Sequence, residues 1–394
     1  MKVFFAFFLV SIAAFGGYHL SFRRISGSSR FVWLHLTGLE FLVIGLLLGP
    51  GFLNVLDAPT VRSLEPFSAL ALGWIGLLLG FQFEISQLRR FPPAFFLASL
   101  MESAVTVLFS FLFLYFMLPV FIPVSGNLHL VTSLALSAAA ACTAQSVLAL
   151  VFPGRPGGRV SRSLRLLRYI GSLDGLVPML ILVFIFFVRS RQVTAGILET
   201  VLLPGAVLAA VFVIYVFFLT QRRDIDELAL VIIGMTVLTS GAAAMAGFSS
   251  LLSNFFMGLC LVNITMEKEK IFHLLASIEK PVYLVLLIFL GAGWHLPDLW
   301  IALPAAAYWL VRIFGKIAGG MAAVSSLPAL HGYPRILGLG LIEQGGLAVA
   351  ILFEFQQRFS GQETSYAVGF ALVAIVMAQL ASPYFASLVL KRSD

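Results

Sequence analysis

One acidic residue in this chain has the clearest potential for chemistry. Asp174 lies in Gly171-Ser172-Leu173-Asp174-Gly175 and is followed directly by an apolar run from Leu176 to Val188. An ionised carboxylate in such surroundings is costly unless it is solvated or paired, and acids placed this way usually line ion or substrate paths. Two interpretations remain open at this point: a functional site, or a structural ion pair that joins two helices.

The composition explains why the surroundings of this acid are apolar. Of 394 residues, 60% are hydrophobic and 11% are charged, and the mean hydropathy is +1.02. Soluble domains average about 25% charged residues. The apolar segments are long enough for helices that cross a hydrocarbon core of about 30 Å, and they lack the weak alternation of barrel strands. We therefore predict an all-α polytopic membrane protein.

The apolar segments and their Arg, Gly and Pro boundaries predict about thirteen transmembrane helices. No connection is long or polar enough to form a soluble regulatory domain, so we expect a single transmembrane domain over 1–394. The predicted spans are 3–22, 31–53, 67–85, 93–121, 129–152, 166–188, 196–219, 227–247, 249–265, 281–296, 299–324, 337–356 and 365–390.

The distribution of basic residues predicts the orientation. With the N-terminus outside, the cytoplasmic connections hold 18 of the 25 Lys and Arg residues. The outer connections hold five, namely Lys2, Arg62, Arg189, Arg191 and Arg358, and a span holds Arg312 and Lys316. This asymmetry predicts a cytoplasmic C-terminus. It also explains the pI near 9.6 through topology and anionic lipid, without a nucleic-acid partner.

An odd number of spans permits an inverted repeat. We interpret 3–22 as the first span rather than a cleaved signal peptide, because no small-x-small cleavage site precedes Arg23-Arg24. Spans 1–6 (about 1–190) and 8–13 (about 225–394) can then be repeats joined by the connector 196–219. Spans 5 and 12 become counterparts, and their centres hold Thr143-Ala144-Gln145-Ser146 and Glu343-Gln344-Gly345-Gly346. Such stretches predict crossed discontinuous helices around a mid-membrane site; close helix packing by small residues is the alternative.

Several motifs, in the same order along the chain, resemble those of the cation/proton antiporter superfamily, second branch. This branch contains sodium/proton and potassium-efflux antiporters. The resemblance covers nearly the whole chain. It rests on Glu40 with Gly45-Leu46-Leu47-Leu48-Gly49-Pro50, Leu77 to Glu84 with Leu88-Arg89-Arg90, Gly247-Phe248-Ser249 with Phe256-Met257-Gly258-Leu259, Pro281 to Leu296, and Arg312 to Gly319.

The resemblance implies roles for individual residues. Asp174 matches the essential ion-binding aspartate of the sixth span. Lys316 matches a basic residue that faces the site and can pair with that acid, and Arg312 lies one helical turn away on the same face. The resemblance also implies that oxygens near the break in span 5 contribute to ion binding. The expected contributors there are Thr143, Gln145 and Ser146, and Ser172, which lies beside Asp174 in span 6, is expected to supply a further oxygen.

Two departures from the family pattern leave questions open. Leu173 replaces the polar residue that usually precedes the aspartate, and Glu343-Gln344 replaces the usual Pro-Arg. Glu343 is therefore either a second carboxylate of the site or the partner of Arg312. We interpret two other buried acids, Glu40 and Glu102, as helix-helix hydrogen bonds or protonated acids rather than ion ligands.

The expected function is secondary antiport of Na⁺ or K⁺ against protons by alternating access, with Asp174 binding the two in turn. We expect no cofactor, a bacterial-type inner (plasma) membrane and, from the resemblance, a homodimer. The scaffold alone does not fix the solute. A transporter of another solute, such as an organic anion, and a non-transporting membrane scaffold are therefore the alternative hypotheses.

Overall fold

The computed structural model describes residues 1–22, 38–122, 126–144, 162–190, 203–219, 225–294, 301–359 and 361–391, and these ranges contain helices and no strand. The α-helices are α1 (Lys2–Phe22), α2 (Leu39–Leu48), α3 (Ala58–Ser63), α4 (Glu65–Phe81), α5 (Ile85–Leu88), α6 (Pro93–Phe121), α7 (Gly126–Ala141), α8 (Arg162–Leu173), α9 (Leu176–Ser190), α10 (Leu203–Leu219), α11 (Ile225–Met245), α12 (Ser250–Ile264), α13 (Lys268–Ala292), α14 (Ala302–Ser326), α15 (Gly346–Arg358) and α16 (Gln362–Lys391). Two 3₁₀ helices, Pro328–Leu330 and Leu337–Leu341, lie between α14 and α15.

Helix length and composition indicate a membrane protein. Within the described ranges, five helices are long and apolar enough to cross a membrane: Pro93–Phe121, Arg162–Phe186, Glu227–Met245, Lys268–Ala292 and Gln362–Val389. Large apolar side chains on their surfaces, such as Phe116 and Val120 of α6, are exposed, which suits contact with lipid. Helices overlap each of the thirteen predicted segments, and the number of complete crossings stays a prediction.

One predicted span is not a continuous helix, although no break in it was predicted from the sequence. The span 166–188 consists of α8 and α9, separated by a turn at Asp174 and Gly175. Pro178 lacks the backbone N–H that would donate to the carbonyl of Asp174 in an unbroken helix. The hydroxyl of Ser103 donates to this carbonyl instead, at 2.9 Å.

The chain divides into two compact units, and the first comprises Met1–Ser26, Glu40–Leu88 and Val183–Gly293. Its tightest packing is between α4 and α12. An ideal Cβ at Gly76 would lie 2.1 Å from the carbonyl oxygen of Leu251, and one at Gly258 would lie 2.4 Å from that of Leu77. Glycine is therefore required at this crossing, where the two backbones touch without intervening side chains.

The second unit comprises Gly27–Leu39, Arg89–Leu182 and Trp294–Asp394. Its central contact is between α6 and α14. Gly315 and Gly319 of α14 face the backbone of α6: an ideal Cβ at Gly319 would lie 2.7 Å from the carbonyl oxygen of Glu102, and one at Gly315 would lie 3.1 Å from the Cα of Thr106. Because these glycines lie on either side of Lys316 in the sequence, Lys316 lies where α6 and α14 are closest.

Candidate functional site

The C-terminal end of α7 is stabilised mainly by side chains that are distant in sequence. The last four carbonyls of an α-helix have no partner within the helix. Here all four accept hydrogen bonds, from the thiol of Cys142 to Ala138, from Gln344 to Ala139 at 2.8 Å, from Arg312 to Ala140 at 2.7 Å and from Lys316 to Ala141 at 2.6 Å. Two cations therefore lie at the negative end of the helix dipole, which is the favourable end for positive charge.

Two non-helical segments meet directly beyond this helix end. Residues 142–144 follow α7, and residues 342–345 precede α15. The backbone N–H of Ala144 donates to the carbonyl of Glu343 at 2.9 Å. An ideal Cβ at Gly345 would lie 2.6 Å from the Cβ of Ala144, so a side chain at 345 would collide with the other segment.

The guanidinium of Arg312 stabilises both segments. Besides Ala140, it donates to the carbonyls of Ile342 and Cys142 and, at 3.5 Å, to that of Leu341. The planar guanidinium has several donors in a fixed arrangement, so one side chain can satisfy carbonyls of both broken stretches. These hydrogen bonds of Arg312 all go to backbone carbonyls, and the role of Glu343 stays a prediction.

Lys316 is the centre of a buried charge cluster. Its ammonium lies 3.1 Å from Oε1 of Glu102 and 3.6 Å from Oδ2 of Asp174. It also donates to the hydroxyl of Thr143 at 2.9 Å. Lys316 and Glu102 are fully buried, and Asp174 is 3% exposed. One cation thus lies between two carboxylates, both of them inside the second unit.

Asp174 is the less satisfied of the two carboxylates. Within the part of the chain that the structure describes, its Oδ2 atom has no hydrogen-bond partner. The hydroxyl of Thr143 accepts from Lys316 and donates to the carbonyl of Leu341 at 3.3 Å, which leaves it one further lone pair. A carboxylate oxygen and a hydroxyl oxygen in these positions can bind a small cation, and the carboxylate can bind a proton instead.

The other predicted site residues have different surroundings. Ser172 is half-buried, and its hydroxyl donates to the carbonyl of Tyr169 at 2.8 Å, within its own helix. Glu343 is 7% exposed, and its backbone carbonyl accepts from the backbone N–H of Ala144. Gln145 and Ser146 lie outside the described residues. The structure therefore brings Asp174, Lys316 and Thr143 together.

Glu102 forms a helix-helix hydrogen bond, which is one of the two interpretations that the sequence favoured. Its partner is the ammonium of Lys316 on α14, so the bond is also an ion pair, which the sequence analysis did not predict. A signal was present in the sequence. The residues Ser99, Glu102, Ser103, Thr106 and Ser110 recur at helical spacing on the otherwise apolar α6, and all five are fully buried. A buried polar stripe on a membrane helix indicates polar partners on a neighbouring helix.

Comparisons with known proteins give a consistent result. The family model described as "Sodium/hydrogen exchanger, transmembrane" matches residues 10–391. Among solved structures, the sodium proton antiporter MjNhaP1 from Methanocaldococcus jannaschii, determined at pH 8, is similar with a TM-score of 0.68. The match covers 99% of this chain and 100% of that chain at 15% sequence identity, which indicates a shared fold. A comparison with curated protein sequences gave no match.

Proposed function

Because the chain belongs to the sodium/hydrogen exchanger family, whose members are secondary transporters within the cation/proton antiporter superfamily, we propose that it exchanges Na⁺ for protons. In this proposal Asp174 binds the two ions in turn. The sequence alone leaves Na⁺ and K⁺ open, and the sodium named in the family description favours Na⁺. K⁺ is therefore tested beside Na⁺ in the transport assay.

The observation that carries the proposal is the Oδ2 atom of Asp174, which lies beside Thr143 and within ion-pair distance of Lys316 but accepts no hydrogen bond from any described residue. A buried carboxylate with an unused oxygen favours any small cation that can reach it. Na⁺ would take oxygens from Asp174 and Thr143, and a proton would neutralise Asp174 directly. Because both use the same carboxylate, binding of one excludes the other, which is the requirement for exchange.

Alternating access is the proposed transport mechanism. The contact between residues 142–144 and 342–345 supports a crossing of spans 5 and 12, and broken membrane helices of this kind typically surround mid-membrane ion sites. In the proposal, the second unit carries the ion. The inverted repeat of about 1–190 and 225–394, with 196–219 as connector, supplies the symmetry through which inward and outward states interconvert.

The proposed setting is a bacterial-type inner (plasma) membrane with the N-terminus outside and the C-terminus in the cytoplasm. The excess of Lys and Arg in the predicted cytoplasmic connections supports this orientation. A homodimer is the proposed assembly. Labelling of single engineered cysteines at the two termini in right-side-out vesicles tests the orientation, since only the N-terminal label should react with an impermeant reagent.

The decisive experiment measures proton movement in proteoliposomes on addition of Na⁺ or K⁺. Wild type should release protons with Na⁺, and Asp174→Asn should abolish this response while the protein stays folded, because an amide does not exchange a proton. Asp57→Asn is the matched control, since it makes the same chemical change at a half-buried N-cap position outside the site. Full activity in Asp174→Asn would exclude the proposed role of this residue.

The two alternative hypotheses predict other outcomes of the same assay. A transporter of an organic anion would show no response to either cation but would respond to its solute. A non-transporting scaffold would respond to neither. The Oδ2 atom of Asp174 favours the cation antiporter, because a carboxylate oxygen without a hydrogen-bond donor can bind a cation and not an anion.

A further inference from the structure

The number of N–H donors of Lys316 determines which carboxylate can accept a hydrogen bond from it. An ammonium group has three N–H donors. In the structure, Lys316 directs them at Glu102, at the carbonyl of Ala141 and at the hydroxyl of Thr143. None remains for Asp174, whose Oδ2 lies at 3.6 Å, beyond hydrogen-bond distance. Lys316 therefore forms a hydrogen-bonded ion pair with Glu102, whereas its ion pair with Asp174 is longer and has no hydrogen bond.

The surroundings of Glu102 hold this arrangement in place. Thr106, one turn further along α6, donates to Oε1 of Glu102 at 3.1 Å. Gly319 brings the backbone of α6 close to α14, so that the Glu102 side chain reaches Lys316. To turn toward Asp174, the ammonium would have to give up one of three buried hydrogen bonds, and a buried group left unpaired is costly.

We propose that Glu102 is a positioning residue of the antiporter: it neutralises Lys316 and holds it away from Asp174, which keeps the aspartate available to the transported ions. This inference rests on the proposed function. The charges of Glu102 and Lys316 cancel, so one negative charge remains on Asp174. Either one Na⁺ or one proton neutralises it.

Removal of the Glu102 charge should make Lys316 compete with Na⁺ for Asp174. In Glu102→Gln, the ammonium loses its anionic partner and turns toward the nearest remaining carboxylate, Asp174. Na⁺ must then displace an ammonium that forms a charge-assisted hydrogen bond. We expect the KM for Na⁺ to rise about tenfold, with a smaller change in kcat.

The experiment compares Na⁺-driven proton movement in proteoliposomes of wild type, Glu102→Gln and the double variant Glu102→Gln/Lys316→Met. The double variant removes the competitor, so its KM should return to within about threefold of wild type. Ser110→Ala is the matched control. It changes a fully buried polar residue on the same face of α6, and its hydroxyl has no partner among the described residues.

A purely structural role for Glu102 predicts a different pattern. Glu102→Gln would then lower the melting temperature with an unchanged KM, and that result would overturn the inference. If Glu102→Gln does not fold, Glu102→Asp replaces it: the shorter acid keeps the charge, and an intermediate KM is expected, whereas a wild-type KM would count against positioning.

A structural measurement separates this inference from the proposed function. Absence of Na⁺-driven proton movement in wild type would refute sodium/proton exchange. The inference about Lys316 is then decided by the structure of Glu102→Gln, in which the ammonium should approach Oδ2 of Asp174 to about 3 Å. An unchanged separation would refute it.

Discussion

The ion pair between Glu102 and Lys316 has a specific role at the scale of single residues. Buried ion pairs are rarely a source of net stability, because desolvation of the charges offsets their attraction. Loss of one partner is much more damaging than loss of both. The pair therefore matters for where it directs the ammonium, toward the end of α7 and Thr143, more than for the free energy of unfolding.

A surface ion pair allows a pH prediction for a residue outside the spans. Lys2 pairs with Asp57, which also accepts from the backbone N–H of Thr60 as the N-cap of α3. The hydrogen bond from Lys2, followed by those from Thr60, lowers the pKa of Asp57 from 3.8 to about 2. The stabilisation is thus present above pH 3.8 and is lost as the pH falls through about 2.

We expect Asp57→Asn to lower the melting temperature slightly at pH 7, because the amide keeps the cap but loses the charge. The difference from wild type should disappear as the pH approaches 2 and also in high salt, since the pair is exposed. Asp57→Ala, which loses the cap as well, should be less stable than Asp57→Asn. Equal melting temperatures of wild type and Asp57→Asn at pH 7 and low salt would show that the pair does not contribute.

Some residues of the site could be found from sequence and others could not. Asp174 was identifiable because an acid in an apolar run is rare. The assignment of the three N–H donors of Lys316, by contrast, requires the structure.

Helix ends and crossings decide the structure at the scale of elements. The four terminal carbonyls of α7 are satisfied without water, and Pro178 creates the turn that carries Asp174. The apolar lengths predicted the helices well, since a membrane permits few alternatives to them. They did not predict the break in span 166–188, because the segment is apolar on both sides of it and only one backbone donor is missing.

The glycines between α4 and α12 give a prediction at this scale. We expect Gly76→Ala to destabilise the protein by about 1–3 kcal/mol, because the added carbon overlaps the carbonyl of Leu251. Gly234→Ala in α11 is the matched control. Nothing lies within 4 Å of its Cβ position, so the higher helix propensity of alanine should leave stability unchanged or slightly raised.

The measurement is the thermal unfolding midpoint of both variants in detergent and in lipid. Overpacking should lower the midpoint of Gly76→Ala in each medium. A midpoint equal to that of wild type would mean that α4 and α12 separate readily, and that the close approach of their backbones is not required.

At the scale of the whole molecule, every predicted site residue that the structure describes belongs to the second unit. The number of acids that exchange a proton in that unit has a consequence for transport. If Asp174 is the one acid of the site that exchanges its proton, one monovalent cation replaces one proton. Transport should then be electroneutral.

We therefore expect the rate and end point of Na⁺-driven proton movement to be independent of voltage in vesicles clamped at different membrane potentials. A voltage-dependent end point would contradict the exchange of one ion for one proton. If Glu343→Gln removed that dependence, Glu343 would be the second acid that titrates in the site.

The capped end of α7 also constrains the order in which the protein is made. The carbonyls of Ala140 and Ala141 obtain their donors from Arg312 and Lys316, which are synthesised 172 and 175 residues later. A backbone carbonyl cannot remain unpaired in lipid. While the ribosome is still translating the second half, this end of α7 must rest near water or borrow another donor. Insertion of the first half and completion of the proposed ion site are therefore separate events in biogenesis, and the second must wait for α14.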